Sequence, residues 1–220
     1  MPKSDFKQQL FAEFARVGKA LSHANRLELL EFIAQGEQSV EALAKKSGLT
    51  TANTSQHLQQ LRHAGLVTTR KQGLKVYYRL SGDDVIVLIN TLRDVAERHI
   101  AEVDRLVSSY LYKKDELEPI HREELLDRVN QGIVTIIDVR PPEEYESGHV
   151  AGALNIPVNE LETKLDDLPN GQEVVAYCRG PHCVLAFDAV AKLRSKGHDA
   201  RRLEDGYPEW KQAGLPVEKN

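Results

Sequence analysis

The sequence predicts two domains: a mainly α domain with a helix-turn-helix and a hairpin, followed by an α/β domain with a mainly parallel sheet. The chain has 220 residues, a length typical of two modest domains. Its apolar residues recur at helical spacing in the first half, and they form short runs separated by helical stretches in the second. Charge also divides the chain, because residues 1–116 carry 17 Lys and Arg against 14 Asp and Glu, and the remainder carries 12 against 19.

Composition narrows the class of protein. No apolar run approaches the roughly 20 residues that span a bilayer, and the first residues are polar without a signal-like segment. We therefore expect a cytoplasmic protein that does not bind membranes. Two cysteines are too few for a disulfide scaffold and predict a reactive role in a reducing compartment. The expected domains are residues 1–112 and 120–220, with a charged linker over 113–119.

The first half contains the signals of a helix-turn-helix. Apolar spacing and the N-cap residues Ser39 and Thr50 predict helices over residues 4–20, 24–35, 40–46 and 51–64. The glycine-containing turn at Gly48 joins the last two of them. After these helices, β-rich runs over 66–71 and 74–80 surround Gln72-Gly73 and predict a hairpin with basic residues at its tip.

Charge and polarity favour DNA contact in this region. No acidic residue occurs between Glu41 and Asp83, whereas seven basic residues do, which gives a phosphate backbone a basic footprint. The helix from Thr51 is rich in amides and hydroxyls that can contact base edges, although a merely solvated helix face is the alternative. The candidate DNA-binding residues are Thr51, Asn53, Thr54, Ser55, Gln56, His57, Gln60, Arg62, Arg70, Lys71 and Lys75.

Two stretches carry a family resemblance. SHANRLELL (22–30) and SQHLQQLRHAGLV (55–67) resemble the ArsR/SmtB family of winged-helix repressors over residues 10–110. The resemblance implies binding to double-stranded operator DNA as a homodimer built from the first and last helices.

The segment after Ser81 independently favours a dimer. Apolar residues and one histidine alternate spacings of four and three, which predicts one long helix with a seam. The seam residues are Val85, Ile89, Leu92, Ala96, His99, Val103, Leu106 and Tyr110. Packing of this seam on the first helix of the same chain is the alternative, and both arrangements are compatible.

The metal sites of the family are incomplete here. Residues 40–46 lack a cysteine pair, and Ile86 and Leu88 replace the first half of the family's last-helix site. Only His99 and Glu102 remain, and a closed zinc site needs about four ligands. We interpret His99 as a packed seam residue and expect no metal and no cofactor, while metal binding by this pair stays open.

The second half alternates strands and helices. Apolar runs predict strands at 133–138, 153–156, 173–177 and 200–203. Ligands of parallel sheets lie at the carboxyl ends of strands. Asp138, Arg140 and the loop after Tyr177 lie at such ends, and we expect the first two near a pocket.

That loop holds both cysteines, between a buried strand and a helix over 184–196. Backbone amides in such a turn, together with the helix dipole, lower a thiol pKa and hold anions. Cys178 is therefore the candidate nucleophile. The candidate anion-binding loop comprises Arg179, Gly180, Pro181, His182, Cys183 and Val184.

Three segments resemble the rhodanese family over about residues 117–218: 136–157, 177–180 and 203–210. The resemblance implies that Cys178 accepts sulfane sulfur as a persulfide from thiosulfate, a persulfide or a polysulfide. Arg179 is expected either to hold an anionic donor or to form an ion pair. Val184 occupies the position of the arginine in Cys-x5-Arg phosphatases and arsenate reductases, which argues against their chemistry.

The sequence leaves Cys183 open. It is either a resolving thiol or a small buried residue at the helix start, and we favour the second interpretation because five-residue spacing does not guarantee disulfide geometry.

The favoured function is a homodimeric transcriptional regulator, expected to be a repressor, that senses reactive sulfur at Cys178. The alternative is an active sulfurtransferase with an autoregulatory DNA-binding domain, so enzymatic activity is uncertain. A third interpretation, an inert binding module, is disfavoured because the chain retains Cys178.

Overall fold

The computed structural model describes residues 3–113, 118–165, 168–169 and 171–219. The chain divides into two compact units, Met1–Ile89 and Asn90–Asn220. Most of the expected linker, residues 114–117, lies outside the described residues, so the expected boundaries stay predictions. No helix within the described ranges is long and apolar enough to cross a membrane.

The first unit contains the expected helix-turn-helix and hairpin. Its elements are α1 Lys3–Leu21, α2 Ala24–Ala34, β1 Gln38–Ser39, α3 Val40–Ser47, α4 Thr51–His63, β2 Val67–Gln72, β3 Lys75–Leu80 and the start of α5 Asp84–His99. Ser39 and Thr50 cap α3 and α4 by accepting hydrogen bonds from the amides of Ala42 and Asn53, each at 3.2 Å. Gly48 makes the turn between the two helices with φ of 69°, a conformation that glycine adopts without strain.

The core of this unit is formed mainly by α2, α3 and α4. Leu29, Leu43 and Leu58 are completely buried in it. The three-stranded sheet has the order β1-β3-β2 and is antiparallel. This arrangement confirms the predicted winged helix, because α4 follows α3 after a tight turn and the β2-β3 hairpin follows α4.

The apolar residues of α1 do not all turn inward. Leu21 is buried and Val17 packs against the core. Phe6, Phe11 and Phe14 are 59%, 56% and 59% exposed. The predicted helix is therefore confirmed. Most of its apolar face is nevertheless not buried within one chain.

The single long helix expected through Tyr110 is a wrong prediction. α5 ends at His99, Ile100 is extended with φ of −113° and ψ of 98°, and a new helix α6 covers Ala101–Val107. A π-helical turn follows over Ser108–Tyr112. No proline or glycine marks the break, and only the β-branched Ile100 favours the extended conformation locally.

The second unit contains a parallel sheet flanked by helices. After α6 its elements are α7 Arg122–Asn130, β4 Val134–Asp138, α8 Pro142–Ser147, β5 His149–Val150, β6 Leu154–Asn155, a 3₁₀ turn Leu161–Thr163, β7 Glu173–Tyr177, α9 Val184–Ser195, β8 Ala200–Arg202, α10 Tyr207–Gln212 and β9 Val217–Glu218. The four strands in the order β6-β4-β7-β8 are all parallel. A short antiparallel pair, β5-β9, lies beside them. The mainly parallel sheet is therefore confirmed.

A buried polar network joins the carboxyl ends of β4 and β7. Asp138 and Arg140 have no exposed surface, and Arg140 Nε and Nη2 donate to the Asp138 carboxylate at 2.9 and 2.5 Å. Tyr177 Oη donates to Asp138 Oδ2 at 2.6 Å and accepts from the amide of Val150 at 3.0 Å. Burial, with the charge of Asp138, raises the pKa of Tyr177 well above its ordinary value. Asp138, the last residue of β4, and Arg140 are buried and contact each other, and their expected place near a pocket stays a prediction.

Replacing Asp138 by Asn should destabilise the chain strongly. The change removes the carboxylate charge that is hydrogen-bonded to the buried Arg140 guanidinium, which costs about 3–5 kcal/mol of unfolding free energy. Urea unfolding of the full chain, followed by circular dichroism, measures this loss. Asp127→Asn is the matched control because Asp127 is exposed on α7, and we expect a change within about 0.5 kcal/mol. Similar midpoints for the two variants would contradict a structural role of the network.

Candidate functional site

The two cysteines lie together where β7 turns into α9. Cys178 is 1% exposed directly after β7, and Cys183 is 8% exposed at the N-cap of α9. Their Cα atoms are 6.1 Å apart and their sulfur atoms form a disulfide, a Cα separation within the usual range. Interpreting Cys183 as only a small buried residue was therefore incomplete, because it is buried and also paired with Cys178.

Several backbone amides of the cysteine loop form no hydrogen bond with another described residue. The amide of Cys183 donates to Gly180 O at 3.1 Å. Among the described residues, the amides of Gly180, His182 and Val184 have no hydrogen-bond partner within the chain. Val184 also begins the 12-residue helix α9, whose N-terminus carries partial positive charge. The loop therefore offers donors to an anionic sulfur atom once the disulfide is opened.

The segment before α10 supports this loop from the other side. The amide of Tyr207 donates to Cys178 O at 3.0 Å. A Cβ atom on Gly206 would collide with backbone atoms of Arg179 and Gly180. Since backbone atoms cannot move aside as a flexible side chain can, Gly206 allows the close approach that fixes the loop.

Arg179 does not point its charge at the cysteines. Its Nε and Nη2 atoms donate to the two carboxylate oxygens of Glu144, each at 2.9 Å, and Glu144 is completely buried. Of the two roles expected for Arg179, the structure therefore has the ion pair, in a buried bidentate form. Sequence reasoning missed Glu144, which occurs in a charged run where nothing distinguishes it from its neighbours.

Three charged side chains from other elements, Arg93, Glu97 and Glu209, lie beside the loop, and Glu97 faces its His182. His182 Nε2 is 3.3 Å from Glu97 Oε1, and Arg93 Nη1 is 3.6 Å from Glu209 Oε1. Burial, followed by the charges of Arg93 and Arg202, lowers the pKa of His182 to about 4. His182 is therefore neutral at pH 7 despite its acidic neighbour Glu97. Sequence reasoning missed Arg93 and Glu97, since neither belongs to the apolar seam of α5.

The candidate recognition helix α4 presents only part of the expected set. Thr51, Asn53, Gln56, Gln60 and Arg62 are exposed, whereas Ser55 is half-buried. Thr54 is completely buried and donates its hydroxyl to Thr50 O at 3.0 Å, so the prediction that it contacts DNA is wrong. The Thr54 hydroxyl instead hydrogen-bonds the backbone carbonyl of Thr50 at the start of α4.

Two further residues of α4 contact α2 or the residue before it. His57 lies with its ring centroid 4.6 Å from that of His23. Burial, then the neighbouring His23 and Arg26, lowers the pKa of His57. Gln60 Oε1 accepts from Arg26 Nη1 at 2.7 Å. These contacts position α4 in the unit, so His57 and Gln60 are less available to DNA than the sequence suggested.

The tip of the hairpin carries three of the predicted basic contacts. Lys71 and Lys75 are exposed. Arg70 donates from Nε to Glu37 Oε2 at 3.1 Å and forms a second bond from Nη2 at 2.5 Å. Arg70 is therefore already neutralised by a carboxylate, whereas Lys71 forms no ion pair among the described residues.

His99 and Glu102 were the two residues left open as possible metal ligands. Across the described ranges, no group of three or more His, Cys, Asp or Glu side chains is arranged to hold a metal ion. His99 was interpreted as a packed seam residue, but it is exposed on α5 within one chain.

Comparisons with known proteins match both units. The family model for bacterial regulatory proteins of the arsR family matches residues 23–69, and the rhodanese-like domain model matches residues 121–213. An HTH-type transcriptional regulator of Mycobacterium tuberculosis is 45% identical over 217 residues, which cover 99% of this chain and 95% of the relative. The nodulation protein NolR of Rhizobium meliloti is 38% identical over 76 residues, covering 34% of this chain and 62% of the relative.

Two solved structures each resemble one unit. A homodimeric winged helix-turn-helix DNA-binding domain from Mycobacterium bovis is 42% identical, with a TM-score of 0.42, and the match covers 46% of this chain and 93% of that one. A rhodanese-related protein from Thermoplasma volcanium is 28% identical, also with a TM-score of 0.42, and the match covers 47% and 100% of the two chains.

The buried neutral His182 predicts an acid-sensitive loop. Its pKa of about 4 lies below the ordinary value of 6.5, so the unfolded chain binds more protons between these pH values. Stability from this residue is complete above pH 6.5 and is lost as the pH falls towards 4. The groups facing His182 are Glu97 and Arg93 of α5 and Arg202 of β8. Between pH 7 and pH 4.5, the urea midpoint should fall less in His182→Asn than in wild type. Equal falls in the two proteins would contradict a neutral buried His182.

Proposed function

The chain belongs to the arsR family of bacterial regulatory proteins and carries a rhodanese-like domain, and we propose that it is a repressor whose Cys178 senses sulfane sulfur. The observation that carries this proposal is the pairing of Cys178 with Cys183 in a loop of backbone amide donors. A thiol that can receive sulfur and a second thiol within bonding distance make a chemical switch.

The proposed chemistry begins with the reduced pair. The Cys178 thiolate attacks the outer sulfur of a persulfide or polysulfide donor, the donor's S–S bond breaks, and the shortened thiol leaves with the proton. Cys178 then carries one additional sulfur as a persulfide. The free amides of Gly180, His182 and Val184 stabilise the negative charge on that sulfur, since they need no reorganisation to do so.

Cys183 completes the switch. Its thiolate attacks Sγ of Cys178, the bond to the added sulfur breaks, and hydrosulfide leaves as the disulfide forms. The net reaction converts one persulfide and two thiols into one thiol, hydrogen sulfide and one disulfide, so atoms and electrons balance without a further oxidant. A cellular dithiol reductant returns the pair to its reduced form by exchange.

The first unit supports operator binding. Thr51, Asn53, Gln56 and Arg62 are exposed on α4, where side chains of a recognition helix contact base edges and phosphates. Lys71 and Lys75 add charge at the hairpin tip, where the contacts would be to phosphates. We assign double-stranded operator DNA as the partner of this surface.

A homodimer is supported by apolar surface that one chain leaves uncovered. α1 exposes Phe6, Phe11 and Phe14, and α5 exposes Leu88, Leu92 and Val95. Contiguous apolar patches of this kind mark interaction surfaces. Pairing of two chains through these helices would bury them and would place two recognition helices on one operator.

Operator affinity before and after sulfur treatment tests the sensing proposal. Fluorescence anisotropy at fixed salt, with DNA from the protein's own upstream region, compares the reduced protein with protein treated with a polysulfide. We expect affinity to change by about tenfold or more in wild type and to stay constant in Cys178→Ser, which cannot accept sulfur. Cys183→Ser should gain one sulfur atom by mass spectrometry, whereas wild type should lose two hydrogens.

Two results decide against sensing. An unchanged affinity with a modified Cys178 would leave the alternative, a sulfurtransferase joined to a DNA-binding domain, which transfers sulfur catalytically to a thiol acceptor. No modification at all would leave the inert module.

The ion pairs at the hairpin predict unequal effects of two neighbouring basic residues. Lys71→Ala should weaken operator binding and reduce the slope of log affinity against log salt by about 1, because one phosphate contact is lost. Arg70→Ala should change the slope less, since Glu37 already neutralises Arg70. Salt titrations of both variants measure this, and a larger loss for Arg70→Ala would contradict the assignment of Lys71.

A further inference from the structure

We propose that Arg93 and Glu97 of α5 are positioning residues for the cysteine loop, and that they transmit its chemical state to the DNA-binding unit. This inference rests on the proposed function and names how the same site is regulated. The two residues and the two that they contact, His182 and Glu209, are called the α5 clamp below.

The geometry of the clamp places one helix face against the loop. Arg93 and Glu97 are four residues apart, so their side chains emerge from the same face of α5. Glu97 reaches His182, which precedes Cys183, and Arg93 reaches Glu209 on α10. The Arg93 guanidinium also lies close to Gly180, because a Cβ atom there would be 3.8 Å from Nη2. α5 therefore contacts the segment that joins the two cysteines at His182 and lies close to it at Gly180.

The contact between Arg93 and Glu209 is partly withdrawn from water, which makes it stronger than a surface ion pair. The side chains of Glu209 and Arg93 are 9% and 23% exposed. Burial raises the pKa of Glu209 and that of Glu97, and the positive charge of Arg93 opposes both shifts. Arg93 also has a fixed rotamer, since Nη1 donates to Asn90 Oδ1 one turn earlier at 3.1 Å. Arg93 is thus a positive charge that partly offsets the effect of burial on two acidic side chains beside the loop.

The loop cannot change its sulfur chemistry without affecting these contacts. Closing the disulfide draws Cys183 towards Cys178, and His182 is the residue immediately before Cys183. A persulfide adds a sulfur atom and a negative charge within the region that Arg93 faces. The disulfide changes the position of His182, and the persulfide adds negative charge near Arg93. Each sulfur state therefore favours a different arrangement of the contacts made by Arg93 and Glu97.

α5 provides the covalent route onwards. It is one continuous helix from Asp84 to His99, and it begins in the first unit, where Val85 is buried in the core. Its second half, from Asn90, belongs to the second unit with the loop. A helix that is packed at its start and clamped in its second half carries a displacement along its axis, since helices bend little without a break.

Two measurements on full-length variants test the clamp. The variants are Arg93→Gln, Glu97→Gln and the conservative Arg93→Lys, with Arg98→Gln as the matched control because Arg98 is exposed on the same helix. The first measurement is an NMR titration of the reduced protein that follows the His182 ring. We expect the pKa of His182 to rise in Arg93→Gln, where a facing cation is lost, and to stay low in Arg93→Lys and Arg98→Gln.

The second measurement is the change in operator affinity on polysulfide treatment, with the modification of Cys178 followed by mass spectrometry. Arg93→Gln and Glu97→Gln should still be modified, but their affinity change should shrink from about tenfold to less than about threefold. Arg98→Gln should keep the full change, and Arg93→Lys should restore most of it.

Separate outcomes overturn the clamp and the sensing proposal. An unchanged His182 titration in Arg93→Gln, or a full affinity change in both Gln variants, would overturn the clamp. A wild type that is modified at Cys178 without any affinity change would refute sensing and, with it, transmission through α5. The NMR titration would then still decide whether Arg93 and Glu97 position the loop.

Discussion

The buried ion pair between Asp138 and Arg140 is the constraint on which the cysteine site depends. It lies between the carboxyl ends of β4 and β7, and Tyr177 joins it through its hydroxyl. Because Tyr177 directly precedes Cys178, the network fixes the point at which the loop leaves the sheet. Gly206 and Tyr207 then hold the same backbone from the opposite side. The position of Cys178 therefore follows from burial and hydrogen bonding that involve no exposed residue.

In the proposed function, this anchored loop receives sulfur without an arginine directed at the cysteines. Arg179 is held by Glu144 and supports the structure instead. The proposed stabilisation of negative charge comes from the amides of Gly180, His182 and Val184 and from the start of α9. Fixed amide dipoles are well suited to this purpose, because they stabilise an anion without a mobile counter-charge that must first be desolvated. Pairing with Cys183 adds reversibility, which distinguishes a switch from a simple sulfur carrier.

Local sequence signals were sufficient to predict the helices and strands, whereas the contacts between distant side chains became visible only in the folded structure. The caps Ser39 and Thr50, the hairpin and the parallel strands were all predicted, since each depends on neighbours in sequence. The break at Ile100 has only the weak local signal of one β-branched residue, and the burial of Thr54 depends on how α4 packs. Arg140 was expected near a pocket, and Arg179 was expected either to hold an anionic donor or to form an ion pair; the carboxylates that bind them lie two and 35 residues away. The roles of Arg93 and Glu97 could not be predicted, because the residues that they contact, His182 and Glu209, are distant in the sequence.

We propose that a chemical change at Cys178 acts on α5, a helix that begins in the DNA-binding unit. Hydrogen exchange of the DNA-free protein, compared between its dithiol and disulfide states, tests this connection most directly. We expect altered amide protection in residues 178–184, in Asn90–His99 and in α4, because α5 links the loop to the first unit. A change confined to residues 178–184, with α5 and α4 unaffected, would contradict it.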